Sequence, residues 1–86
     1  MAEQLVGKIT HYFAKAGVAA IKITDGELHI GDTIHVVGHT SDFKQPVESM
    51  QVNHAPVAVA KPGDEIGIKA AAHAREHDQV FKVLPD

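Results

Sequence analysis

Apolar and polar residues alternate along most of this chain with a period of two, the spacing of a strand that buries one face. Leu5 to Phe13 sets Leu5, Gly7, Ile9, His11 and Phe13 against Val6, Lys8, Thr10 and Tyr12, and its β-branched and aromatic content suits a pleated surface. Gly17 opens a second run, Val18 to Ile23, with Ala19, Ile21 and Ile23 on one face; Asp25-Gly26 then supplies the chemistry of a reversal, which predicts a hairpin into Leu28 and Ile30. After Gly31-Asp32, Thr33 to Val37 places Ile34 and Val36 opposite His35 and Val37, and Gly38 closes the strand. His39 to Gln45 is polar and reads as a loop, after which Pro46 restarts extended chain through Met50 and Val52. Asn53 to Pro56 reads as loop or edge material, Val57 and Val59 alternate with alanines, and Lys61-Pro62-Gly63-Asp64 turns the chain into Ile66 and Ile68. The last strand runs from Gln79 to Leu84.

Ala70 to His77 alone has helical composition, but eight residues with only alanine for an apolar face make a marginal helix, so a linker is expected there. The pattern predicts about six or seven short strands with turn signals about every 8–12 residues, hence an all-β fold, a small antiparallel barrel or sandwich. Ile21, Ile23, Ile34, Val36, Met50, Val52, Ile66 and Ile68 are its expected core.

Length confines all this to one unit. Eighty-six residues supply one hydrophobic core, so residues 1–86 are expected to form a single domain with its core between residues 5 and 84. With 44% apolar and 22% charged residues the chain has a globular rather than a disordered balance. The absence of cysteine removes disulfides, thiolate metal sites and a cysteine nucleophile. No apolar run approaches the roughly 18–20 residues of a membrane span and the first residues lack the pattern of a signal peptide, so no membrane role and a cytoplasmic location are expected. The net charge is −3 and the basic residues are scattered singly, unlike the cationic stripe of a duplex binder.

Four segments stand in a recognisable order: Gly17-Val18-Ala19-Ala20-Ile21, Gly26 to Ile34, Val47-Glu48-Ser49-Met50-Gln51, and Ala60 to Gly67. Together they resemble the second domain of translational GTPases of the elongation factor Tu type, a closed β-barrel, with the resemblance running from Val6 to Val83. Thr10-His11-Tyr12-Phe13 and Gly38 to Phe43 look closer still to small stand-alone translation-elongation-factor-like proteins, and the whole is similar to the C-terminal barrel of collagenase-like peptidases. The resemblance implies a closed antiparallel barrel, and closure would remove the strand edges that a small free sheet must protect. No Gly-x-x-x-x-Gly-Lys-Ser/Thr loop is present, so neither nucleotide binding nor GTP hydrolysis is expected.

The resemblance further implies a non-enzymatic binding module that contacts RNA, the ribosome or a translation-associated protein, with no cofactor. In the elongation factors this barrel docks on the small ribosomal subunit and helps to hold the 3′ end of aminoacyl-tRNA. The family's acidic residue near the terminal adenosine falls on Gln51, whose amide can still hydrogen-bond a ribose hydroxyl. From the residues themselves, His39, Thr40, Asp42, Phe43 and Lys44 form a polar segment around one aromatic. Phe43 there either stacks a base, as in single-strand binders, or folds back onto the barrel mouth. The alternative to a translation role is a protein-interaction or regulatory adaptor with no nucleic-acid function, like the accessory barrel of the peptidases.

Other chemistry has little support. Ser41 and Ser49 lie outside any Gly-x-Ser-x-Gly turn, so no catalytic serine is expected. The seven histidines include two pairs four apart, His35/His39 and His73/His77, a spacing that could serve zinc; without a His-Glu-x-x-His motif they are expected to face solvent rather than to bind metal. If they do, their protonation carries the net charge from −3 to +4, with a crossover around pH 6.

Overall fold

A computed structural model describes residues 2–84, so Met1, Pro85 and Asp86 of the expected 1–86 domain lie outside the described residues. Every ladder is antiparallel and no helix is present among the described residues. The strands are β1 (Ala2–Phe13), β2 (Val18–Ile23), β3 (Leu28–His29), β4 (Thr33–Val37), β5 (Asp42–Pro46), β6 (Met50–Val52), β7 (Ala55–Val57), β8 (Val59–Ala60), β9 (Glu65–Lys69) and β10 (Gln79–Leu84). Eight of them form one sheet in the order β5-β4-β10-β1-β2-β9-β6-β7, and β3 and β8 form a separate ribbon. No described helix is long and apolar enough to cross a membrane.

The twelve-residue β1 is longer than its expected Leu5 start, and its faces do not alternate as expected. Pairing with β10 slips between Leu5 and Gly7, and pairing with β2 slips between Ile9 and His11. Each bulge inserts one residue and exchanges the inward and outward faces beyond it. Val6 and Ile9, three apart, are therefore both buried, while Leu5 and Phe13 are exposed. Val6, the extra residue of the first bulge, directs its C=O to the N–H groups of Thr24 and Asp25. Gly7 is required beside it, because a side chain there would collide with the main-chain oxygen of Lys22 in β2.

Asp25-Gly26 does turn the chain, with Gly26 at φ 64°, but the expected hairpin does not form: β3 pairs with β8, and β2 lies between β1 and β9. The segment expected as a loop from His39 to Gln45 holds β5, which pairs with β4 from Val37↔Asp42 to Thr33↔Pro46 around a tight turn in which Gly38 N–H bonds Ser41 C=O at 2.8 Å. Its one buried residue is a glutamine, which hid it from a search for apolar alternation. Asn53 and His54, at φ 51° and 65°, make the left-handed two-residue turn that joins β6 to β7. Residues 70–78 form an irregular connection, as expected, pinned by the fully buried Ala74.

Seven of the eight expected core residues are buried, and Val52 packs partly buried against them. The core also takes in Val6, Ile9, Leu28, Val47, Ala60 and Val80. The hydrogen-bonded ladder does not close, for β5 and β7 are its two ends. The sheet is nevertheless rolled. Gln45 of β5 reaches the far end of β9, donating from Nε2 to Lys69 C=O at 2.7 Å and accepting from the Ala71 N–H at 2.6 Å. This buried amide makes one donor and one acceptor contact, as a peptide group in a neighbouring strand would, and leaves no side-chain polar atom unsatisfied.

Two outcomes follow for stability. Ile66→Ala, at a buried position facing the centre, is expected to cost about 2–5 kcal/mol in chemical denaturation, a large share of the stability of so small a domain. Gln45→Leu should cost about 1–3 kcal/mol and speed hydrogen exchange at the Ala71 amide, with the β-type circular dichroism spectrum retained. Unchanged exchange at Ala71 would show that Gln45 does not hold the roll.

Candidate functional site

Gln51 sits in the middle of β6, opposite Gly67 of β9 on one side and Pro56 of β7 on the other, with its side chain exposed. It lines an open groove of about 270 Å³ together with Phe13, Val18, His54, Glu65 and Gly67. Phe13 ends β1 half-exposed at 50%, and the His11 ring meets it edge-on at 4.4 Å. The Thr10 hydroxyl, on the bulge of β1, donates to the Glu65 carboxylate at 2.8 Å and orients it. His54 reaches the groove from the left-handed turn. An aromatic face, an amide and a fixed carboxylate can hold a ligand that offers a flat surface and hydrogen-bonding groups.

The polar segment lies elsewhere, and none of His39, Thr40, Asp42, Phe43 or Lys44 lines this groove. His39 and Thr40 occupy the exposed turn between β4 and β5. Phe43 belongs to β5 and packs partly buried against the core, the folded-back position of the two open to it. Asp42 and Lys44 are exposed on the same strand and turned to partners within the fold, Asp42 to His35 of β4 and Lys44 to Glu3 of β1.

His35 Nε2 donates to Asp42 Oδ1 at 2.5 Å and Nδ1 to the Glu3 carboxylate at 2.9 Å, with Lys44 Nζ 3.9 Å from the same Glu3. Serving two carboxylates requires a proton on each ring nitrogen, which is the imidazolium. The hydrogen bond to Asp42 and then that to Glu3 hold the His35 pKa above the ordinary 6.5, against an opposing effect of burial. The other six histidines are exposed, as expected for the set. Among the described residues no three histidine, aspartate or glutamate side chains converge into a metal-holding group.

The sequence did not point to Phe13, His54 or Glu65. Phe13 sat within an unbroken alternation whose phase the bulges alter, and Asn53-His54 lacks the glycine that marks such a turn. Neither serine is hydrogen-bonded to a histidine among the described residues: Ser41 is buried in the β4–β5 turn and Ser49 is exposed before β6.

The pattern of elongation factor Tu domain 2 matches residues 16–80, three quarters of the chain and all of the region that builds the Gln51 groove except Phe13. The chain belongs to the elongation factor Tu domain 2 family. Within full-length proteins it is similar to part of an uncharacterized protease of Methanocaldococcus jannaschii, 38% identical over 77 residues, which is 88% of this chain and 19% of that protein. It is also similar to part of a collagenase of Porphyromonas gingivalis, 37% identical over 78 residues, 90% of this chain and 22% of that protein. The chain thus spans about a fifth of the length of these relatives. Its fold matches the crystal structure of the C-terminal domain of a Geobacillus thermoleovorans protein assigned to the U32 peptidases, with a TM-score of 0.87 at 17% identity, covering 94% of this chain and 93% of that domain. This domain 2 fold therefore occurs in a peptidase-associated setting as well as in translation factors.

The His35 clamp gives a pH dependence of definite sign. A folded-state pKa above the unfolded value means stabilisation that is fully present below about pH 6.5 and is lost as the pH rises through the higher folded value. Unfolding free energies measured from pH 5.5 to 8.5 should fall at the alkaline end relative to those of His35→Gln. Parallel curves for the two proteins would remove the clamp's contribution.

Proposed function

We propose that this domain is a non-enzymatic accessory module that binds a protein partner, of the kind appended to peptidases of the U32 and collagenase type. The observation that carries this reading is the 37–38% identity to a fifth of two proteins named as protease and collagenase, a fraction close to the size of one appended domain. The site chemistry is in keeping with it. Phe13, Gln51, His54 and Glu65 offer contact surface and hydrogen bonds, and no nucleophile with an adjacent base stands among the described residues of the groove.

A translation role remains the second reading, favoured by the family match and by Gln51 standing beside an exposed aromatic. Under it, the Gln51 groove rather than the half-buried Phe43 supplies the ring for stacking, and His39, Thr40, Asp42 and Lys44 serve as peripheral polar contacts. In both readings the module acts by docking, without cofactor or nucleotide.

The two separate in one experiment. The Porphyromonas gingivalis collagenase, expressed without the segment that this chain matches, is mixed with the isolated chain and followed by sedimentation velocity, in parallel with tRNA and ribosomes over a salt series. The accessory reading expects a complex with the shortened collagenase below roughly 100 µM and no gelatin hydrolysis by the chain alone. No complex there, with tRNA or ribosomes bound at low salt and released as salt rises, overturns it in favour of the translation reading.

A further inference from the structure

β10 covers the edge of β1 only as far as Lys8↔Gln79. One further position is filled by the connection before β10, where Asp78 C=O accepts from the Ile9 N–H and the His77 N–H donates to Ile9 C=O, both at 2.8 Å. The connection then swings away at His77, a non-glycine residue at φ 74°. Beyond that point β1 has β2 on one side only.

The space left open is a second groove of about 520 Å³ between His11, Tyr12 and Ala14 of β1 and the chain from His73 to His77. Phe13 C=O takes the Gly17 N–H at 2.8 Å on the β2 side. Strand alternation therefore turns the N–H and C=O of Tyr12 the other way, into the groove, where no strand meets them. The Tyr12 and His73 rings, 4.5 Å apart, form one wall. Glu76 faces His11 at 3.3 Å, and the Arg75 guanidinium has no carboxylate within 4 Å among the described residues. The end strands of the sheet each carry a proline, Pro46 in β5 and Pro56 in β7, which lacks the N–H for pairing; this stretch of β1 carries none.

We propose that this groove takes an extended segment of a partner protein, which adds as a strand to the free edge of β1 at Tyr12 and places an acidic side chain against Arg75. The proposal rests on the reading of the chain as a protein-binding module and names its face and the chemistry of its partner. Main-chain bonds to Tyr12 supply affinity, and the Tyr12 and His73 rings, inclined at 40° to each other, select among side chains together with Arg75. RNA would find aromatic faces here too, but would leave the Tyr12 main-chain groups without strand-like partners.

The test titrates the ¹⁵N-labelled protein with acetyl-Val-Glu-Val-Glu-Val-amide, its lysine counterpart, the glutamate peptide N-methylated at its central residue, and a uridine hexanucleotide. The glutamate peptide should shift the amides of residues 11–14 and 73–77, and binding should weaken about tenfold or more on N-methylation, because the ladder bonds are lost. The lysine peptide and the Arg75→Gln protein should each bind several-fold more weakly than the original pair. The proposal is overturned by silence at about 5 mM glutamate peptide, by equal binding of the N-methylated peptide, or by the hexanucleotide alone shifting these amides. A silent peptide beside an intact complex with the shortened collagenase would sink the β1 edge and spare the accessory reading; absence of both would remove the two together.

Discussion

The bend in β1 is the constraint on which the rest of the fold depends. One strand near the middle of an eight-stranded sheet pairs with β10 along its first half and β2 along its whole second half, and it changes direction at two bulges. Without the first bulge Val6 would leave the core, and without glycine at position 7 the main chain of β2 could not approach. Bulges strengthen local twist and curl. The curl brings β5, at one end of the ladder, to β9, five strands away in the order β5-β4-β10-β1-β2-β9. Gln45 then spans with a side chain what the ladder does not span with backbone.

The sequence was informative wherever one strand face is apolar and its phase is undisturbed. Ile21 and Ile23, Ile34 and Val36, and Ile66 and Ile68 keep a strict two-residue period and are buried as that period predicts. It was uninformative in two physical circumstances. A bulge resets the phase without any apolar signature, so Ile9 and Phe13, read on one face, end on opposite sides of the sheet surface. A polar residue that satisfies its hydrogen bonds internally looks like a loop residue, which is why Gln45 concealed β5 and why Asp42 and Lys44 looked free for a partner. The family resemblance gave Gln51 its place, while the ring that shares its groove, Phe13, came from the bulge geometry alone.

This division between committed and uncommitted side chains organises the surface. His35, Asp42, Glu3 and Lys44 are occupied with one another, and recruiting them to a partner would first break charge-assisted bonds within the fold. Phe13, Gln51, His54 and Arg75 have no such side-chain hydrogen bonds among the described residues. They lie on the two grooves that flank the far end of β1, one reached from β2, β6 and β9 and the other from the connection before β10. Phe13 and His11 form a ring contact across this end, so the two grooves share a wall.

Edge protection explains why the two grooves would behave differently. The Gln51 groove lies over paired strands, so a ligand there meets side chains and the pleated face of β2, β6 and β9. It is suited to small or flat groups. The Tyr12 groove exposes unpaired main chain, which favours any extended polypeptide regardless of sequence and must normally be guarded against self-association. The sheet guards its outer strands with Pro46 and Pro56, and the separate ribbon of β3 and β8 is too short to template a neighbour. At Tyr12 the guard is different: the 73–77 chain bonds β1 at Ile9 through the His77 N–H and at the His11 ring through Glu76, stands over Tyr12 without a main-chain bond to it, and is held aside by the left-handed backbone of His77. The open stretch is short, because Ile9 is already occupied and the turn from Ala14 to Gly17 limits the other end. The same geometry that leaves this edge open therefore keeps it short, which fits the proposed docking of one partner segment better than the open-ended templating that seeds aggregation.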